Sequence, residues 1–333
     1  MKKIAKKLIL KILIGVMCLS IVCFIVLHLT PKPLFKVAKM IPVEANLTKP
    51  DNYSIIEAKT KVEKNIVYSK DYSNSSLDIY SPIHSKKKLP VILFVHGGGF
   101  FKGEKEMAKY FGPTISNGEY TFISINYDLV PNITVFDQVK QINEAIKYIV
   151  DNAETFSIDV NHINLSGSSA GGFLALQLLS AYYDKNYASG LNIDLVENIR
   201  FNSVLLYSSV YDLSIFKSYN DNFIVSYLLS KMGWGLTGEK KWKNDSDLGA
   251  LLNLNAHINK DFPPVFITDG NTNTFTDQAK RYSDELSKIG VPIQTLFFSS
   301  KEKVGHGYQL NMCTNASKEA INKSLDFLES YNE

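Results

Sequence analysis

Leu165-Ser166-Gly167-Ser168-Ser169-Ala170-Gly171-Gly172 is the stretch on which the reading of this chain turns. It contains the pattern G-x-S-x-G as Gly167, Ser169 and Gly171. Ile163-Asn164-Leu165 before it reads as a short buried strand, and Phe173-Leu174-Ala175-Leu176-Gln177-Leu178-Leu179 after it is rich in helix formers. Strand, sharp turn and helix form the setting in which a serine hydroxyl is held out at the tip of the turn. The glycines let the backbone pass close to its neighbours there. A pattern this short also arises by chance, so its weight comes from these flanks and from a second motif.

The second motif is His96-Gly97-Gly98-Gly99-Phe100, placed after the apolar run Leu89-Pro90-Val91-Ile92-Leu93-Phe94-Val95. An H-G-G-G loop after a central strand is the form an oxyanion hole takes in lipases and esterases. Its glycines leave backbone N–H groups free to face an oxygen that turns negative in a tetrahedral intermediate. Gly98 and Gly99, with Ala170 after the serine, are the expected donors.

On these residues the chain from about residue 60 onward resembles an α/β-hydrolase of the hormone-sensitive-lipase-like esterase group. His96 to Phe100 and Gly167 to Gly172 match the group's motifs, and Asn126-Tyr127-Asp128-Leu129-Val130-Pro131 is similar to its N-Y-R-L-A-P. Asp128 stands where the group has arginine, and Ser168 where an acidic residue is common. The resemblance implies an α/β fold with a mostly parallel eight-stranded sheet and helices on both faces.

The rest of the chain agrees with one such domain carrying an N-terminal appendage. It has 333 residues, 45% hydrophobic and 21% charged, the make-up of a foldable globular chain. The net charge of +3 owes much to the N-terminus, so it gives no case for nucleic acid. Arg200 and Arg281 are the only arginines, which argues against a bidentate phosphate clamp. Lys2, Lys3, Lys6, Lys7 and Lys11 precede an uncharged apolar run from Ile12 to Leu29. That run is near the lower limit for spanning a bilayer. Residues 1–30 therefore read as an uncleaved anchor, its lysines cytoplasmic and the enzyme outside the cell membrane. A cleaved secretory signal is the rival, but Thr30-Pro31-Lys32-Pro33 offers no small-residue cleavage site. Cys18 and Cys23 lie in the apolar run, so Cys313 has no disulfide partner within the domain. No Cys/His spacing suits a metal, and neither metal nor cofactor is expected.

Residues 31–60, broken by Pro31, Pro33, Pro42 and Pro50, read as a linker or a covering segment. Leu34 to Ile41 form its one amphipathic stretch. From there strands and helices alternate, as in a parallel sheet with crossover helices. Val62–Tyr68 and Leu77–Ser81 read as an antiparallel opening pair, and Lys105–Asn117 as a single helix. Val135–Ala153 has a helical apolar face of Val135, Val139, Ile142, Ile146 and Ile149. Between Leu213 and Phe262 the alternation stops. This stretch is too long for an ordinary loop and holds Phe216, Tyr219, Phe223, Tyr227, Trp234 and Trp242. It reads as a helical cap over the site.

The base is expected at His306, in Gly305-His306-Gly307-Tyr308 after the last strand, which completes the order nucleophile, acid, histidine. The acid is less plain. The position where the family's pattern puts an aspartate holds Asn273, and an amide cannot stabilise an imidazolium with a full charge. Asp269 is taken first, then Asp277. Asp212 is where some members of the wider fold carry the acid, and an Asn273 dyad stays open.

The expectation is thus a serine esterase acting through an acyl-enzyme on a short-to-medium acyl or acetylated small molecule. The other class kept in view is a membrane-anchored binding or scaffold protein on a weakened hydrolase fold, motivated by Asn273. The sequence leaves the oligomeric state open.

Overall fold

The computed structural model describes residues 2–41, 46–85, 87–218 and 222–331; Pro42 and Tyr219 lie outside these ranges. The chain runs α1 (Lys2–Leu29), α2 (Lys32–Met40), α3 (Tyr53–Glu57), β1 (Thr60–Val67), β2 (Ser76–Pro82), β3 (Leu89–Val95) and α4 (Phe111–Ser116). It continues through β4 (Thr121–Ile125), α5 (Val135–Asp151), β5 (Ile158–Ser168), α6 (Ala170–Tyr183), α7 (Lys185–Leu191) and β6 (Phe201–Tyr207). The last elements are α8 (Phe223–Thr237), α9 (Ser246–Leu251), β7 (Val265–Asp269), α10 (Thr276–Lys288), β8 (Ile293–Phe297) and α11 (Asn315–Ser330).

The strands form one eight-stranded sheet in the order β1-β2-β4-β3-β5-β6-β7-β8. β2 pairs antiparallel with β1 and with β4, and all other pairs are parallel. The expected mostly parallel α/β-hydrolase sheet is therefore present, with its opening antiparallel pair. Side chains of a strand alternate between faces, and β3 feeds two cores in this way. Val91, Leu93 and Val95 join α5, α6 and α10 on one face. Ile92 and Phe94 join α4 and α11 on the other. Sequence dictates the helix starts as well. Thr134 caps α5, accepting from the Asp137 N–H while the Asp137 carboxylate accepts from the Thr134 N–H, and the five apolar positions of α5 are buried.

Two details differ from expectation, and a third agrees with one of the readings of the covering segment. The helix expected over Lys105–Asn117 is two pieces, a 3-10 turn Lys105–Ala108 and then α4. A buried polar cluster fixes Lys105 and overrides local propensity. Its ammonium lies 2.9 Å from Asp78 Oδ1 and 2.8 Å from Asn65 Oδ1, its N–H donates to Asn126 Oδ1, and its carbonyl accepts from Ser124 Oγ. Asp78 Oδ1 also accepts from the Asn65 N–H. Second, β5 begins at Ile158 rather than Ile163, because Leu89 and Pro90 pair with Ile158 and Asp159. Third, the amphipathic stretch after the anchor is a true helix, α2. Its Phe35 is buried, packs edge-on against Phe101 at 5.5 Å, and lies where Gly235 of α8 has no side chain.

α1 contains one helix long and apolar enough to cross a membrane, Ile9–Leu29. Its 21 residues extend about 30 Å, the thickness of a bilayer core. A signal sequence satisfies the same criteria of length and composition.

Candidate active site

Register brings the two motifs together. Val95, the last residue of β3, sits beside Gly167 of β5, so the chain leaves both strands at adjacent carboxyl ends. At the turn, Ser169 has φ 53° and ψ −121°, a strained conformation for a residue with a side chain. The strain is held by the Ser169 N–H donating to the Tyr207 carbonyl and by the start of α6 directly after it. Gly171 is needed for contact rather than flexibility: a Cβ there would lie 2.1 Å from the Val95 carbonyl oxygen.

Gly98 has φ +119° and Gly99 φ +62°, which turn the loop back towards the serine. Among the described residues, none accepts a hydrogen bond from the N–H groups of Gly98, Gly99 or Ala170. The loop is held from behind. Tyr127 donates to the His96 carbonyl at 2.6 Å and stacks on the His96 ring at 4.3 Å. Gln138 Nε2 donates to the carbonyls of Phe100 and Asp128. Asp128, the departure from arginine, accepts from Ser73 Oγ and from the N–H groups of Ser73 and Asn74, tying the turn before β2 to this loop. His96 is fully buried, and desolvation pushes its pKa down to about 4, so it stays neutral.

His306 Nε2 lies 2.8 Å from Ser169 Oγ. His306 is exposed as a residue, and Phe275 packs edge-on against its ring at 5.4 Å. The protein around the ring lowers the imidazole pKa by desolvation. The loop that presents His306 is clamped by Asn271, whose Nδ2 donates to the Ser299 and Glu302 carbonyls and whose Oδ1 accepts from the Val304 N–H.

The acid side holds a residue that sequence reasoning missed. The partner of His306 Nδ1 is Thr274 Oγ1, at 3.0 Å. The same hydroxyl donates to Asp269 Oδ1 at 2.5 Å. Since a hydroxyl has a single proton, Thr274 gives it to the carboxylate and accepts from the imidazole. The network therefore assigns the proton of neutral His306 to Nδ1 and leaves Nε2 as an acceptor facing Ser169. Asp269 ends β7, is fully buried, and accepts also from the N–H groups of Gly270 and Phe275. Burial raises its pKa to about 6 against the lowering effect of these bonds.

The other candidates stand elsewhere. Asn273 is exposed, in a left-handed conformation, and does not hydrogen-bond to His306, whose Nδ1 faces Thr274 instead. Asp277 is exposed in the first turn of α10. Asp212 accepts from the Ser214 N–H and hydroxyl, where the 3-10 turn Ser214–Lys217 begins. Among the described residues, no group of His, Cys, Asp and Glu is placed to share a metal ion.

Beside Ser169 opens a cavity of about 180 Å³, lined by Gly99, Ala170, Phe101, Leu213 and Phe275, and by Phe216, Leu229, Met232, Leu236 and Trp242 from the insertion between β6 and β7. Its walls are apolar, so it suits a hydrocarbon portion of a substrate.

The BD-FAE family model matches residues 77–287. The chain belongs to the BD-FAE family. Among curated proteins, it is 24% identical over 270 residues to an alpha/beta hydrolase of Acanthamoeba polyphaga mimivirus, covering 80% of this chain and 74% of that protein. It is 23% identical over 259 residues to the isoprenylcysteine alpha-carbonyl methylesterase ICME of Arabidopsis thaliana, covering 75% of this chain but only 58% of that protein. Of solved structures, esterase B from Lactobacillus rhamnosis superposes with a TM-score of 0.72 at 19% identity, covering 86% of this chain and 88% of that one. The BD-FAE chain thus takes its place among the carboxylic ester hydrolases of the α/β-hydrolase fold, as the motifs implied.

Proposed function

We propose that this BD-FAE protein is a serine carboxylesterase working through an acyl-enzyme, anchored by α1 with its catalytic domain on the outer face of the membrane. The observation that carries the reading is the 2.8 Å contact between Ser169 Oγ and His306 Nε2 at a strained elbow. Ser169 attacks the ester carbonyl and His306 takes its proton. The N–H groups of Gly98, Gly99 and Ala170 receive the oxyanion. Asp269 acts on the imidazolium through Thr274 rather than by direct contact. His306 then protonates the leaving alcohol, and water releases the acid.

The insertion acts as a cap whose apolar residues form the acyl wall. For scale, an apolar cavity of about 150 Å³ binds benzene, so the space here fits a short acyl chain or one ring. That ICME is named for a methyl ester on a prenylated cysteine agrees with an apolar substrate portion.

The test is covalent labelling. A fluorophosphonate probe is expected to modify Ser169 in the folded protein, and mass spectrometry of the labelled peptide locates it. A folded protein that stays unlabelled would leave the binding or scaffold role standing instead.

A chain lacking residues 1–30 is expected to be soluble and to keep its activity on a water-soluble ester, because among the described residues α1 lines no part of the cavity, and α2 with Phe35 is retained. Folded but inactive protein would mean that α1 supports the site. An N-terminus near residue 31 on chain recovered from membranes would point to a cleaved signal.

A further inference from the structure

The two ends of α8 differ in character. Leu229, Met232 and Leu236 wall the cavity beside Ser169. The first turn faces solvent instead, with Phe223 84% and Ile224 67% exposed. α2 packs across α8, with Phe35 seated at Gly235, and leaves Val37, Met40 and Ile41 at 61%, 77% and 62% exposure. Lys32, Lys36 and Lys39 are exposed on the same short helix. Side chains this apolar and this open, grouped on two packed helices, mark a surface that meets another phase.

The chain itself says which phase. The apolar span ends at Leu29, and α2 begins at Lys32. His28 Nε2 lies 3.3 Å from the ammonium of Lys240, just beyond the C-terminal end of α8. α2 and the C-terminal end of α8 therefore sit at the exit point of α1, and α8 lying along the bilayer surface would bring its first turn, about 20 Å from that end, to the same layer. α2 begins at Lys32, directly after the span ends at Leu29, and so within reach of a headgroup layer about 5–8 Å thick. A short helix with lysines among exposed apolar residues lies along such an interface, and its charges favour anionic headgroups.

We propose that α2 and the first turn of α8 rest in the headgroup layer of the bilayer that α1 spans, and that the acyl cavity behind α8 is filled from the lipid phase. The substrate class is then an ester whose acyl chain is dissolved in the membrane. This rests on the esterase and anchor readings above.

The test uses the full chain in phospholipid vesicles containing anionic lipid. Phe223→Trp is expected to add a fluorescence component quenched by lipids brominated on their acyl chains, beyond that of Trp234 and Trp242 in the unsubstituted protein. The double substitution Phe223→Ser with Ile224→Ser is expected to lower kcat/KM about tenfold for a long-chain ester dissolved in the vesicles, the equivalent of losing part of two apolar anchors. Its kcat/KM for p-nitrophenyl acetate should not change. Absence of extra quenching overturns the docking, including the case in which a second copy of the chain covers the patch. Equal loss on both esters, or none on either, overturns delivery from the lipid. If the unsubstituted chain hydrolyses neither ester, the esterase reading fails, and the quenching alone decides the docking.

Discussion

Replacing Ser169 with alanine is expected to lower kcat on a short p-nitrophenyl ester by roughly four to six orders of magnitude. Alanine keeps the Cβ that the elbow geometry already accommodates and removes only the oxygen beside His306. Stability should therefore stay within about 0.5 kcal/mol of the parent, measured by urea unfolding. The residual rate reports what the oxyanion donors and the cavity contribute without a nucleophile. A variant that keeps a few per cent of the activity would place the nucleophile elsewhere.

The second large effect concerns the acid. Asp269→Asn is expected to lower kcat by roughly two to four orders of magnitude, because the imidazolium loses the only buried carboxylate in its network. Thr274→Val should cost about tenfold to a hundredfold, since His306 keeps its place but loses the acceptor on Nδ1. Asp277→Asn and Asn273→Asp should change kcat little. The pH profile separates positioning from mere structure. Asp269 has its pKa raised to about 6, and the Thr274 hydroxyl holds it down against burial. The active form needs Asp269 ionised and His306 neutral, so activity falls as pH drops through about 6. Without the hydroxyl, the Asp269 pKa rises and this acid limb moves to higher pH. Thr274→Ser should restore both rate and limb. A Thr274→Val enzyme with an unmoved limb would sink the relay, and a severe loss at Asp277 or Asp212 would move the acid there.

The order of legibility along the chain follows from physics. Ser169, His96 and the glycines around them were readable because a strained turn and a close backbone approach admit few residue types. The strands were readable because burial on both faces leaves apolar runs. Thr274 was not, since a hydroxyl linking two side chains has no spacing of its own. It fills the gap that Asn273 opens in the family pattern, and that gap was the only signal of it. The break in the expected helix after Lys105 was equally hidden, because its cause is Asp78, a residue of β2 far from it in sequence. Phe35 could be assigned to an amphipathic helix, but not to Gly235, which it meets only after folding.

The buried Lys105–Asp78 pair also bears on the order in which the protein is assembled. Asn65, Asp78, Lys105, Ser124 and Asn126 all fall within one stretch of chain that is complete before Ser169 has been synthesised. The two charges need one another as soon as they leave water, because an unpaired buried charge is costly. The strands and turn that brace the glycine loop can thus form a nascent unit while the elbow is still being made, in keeping with N-terminal-first folding. Under the proposed topology, the loop that supplies the oxyanion donors Gly98 and Gly99 emerges first. The elbow, with Ser169 and the third donor Ala170, is added to it afterwards.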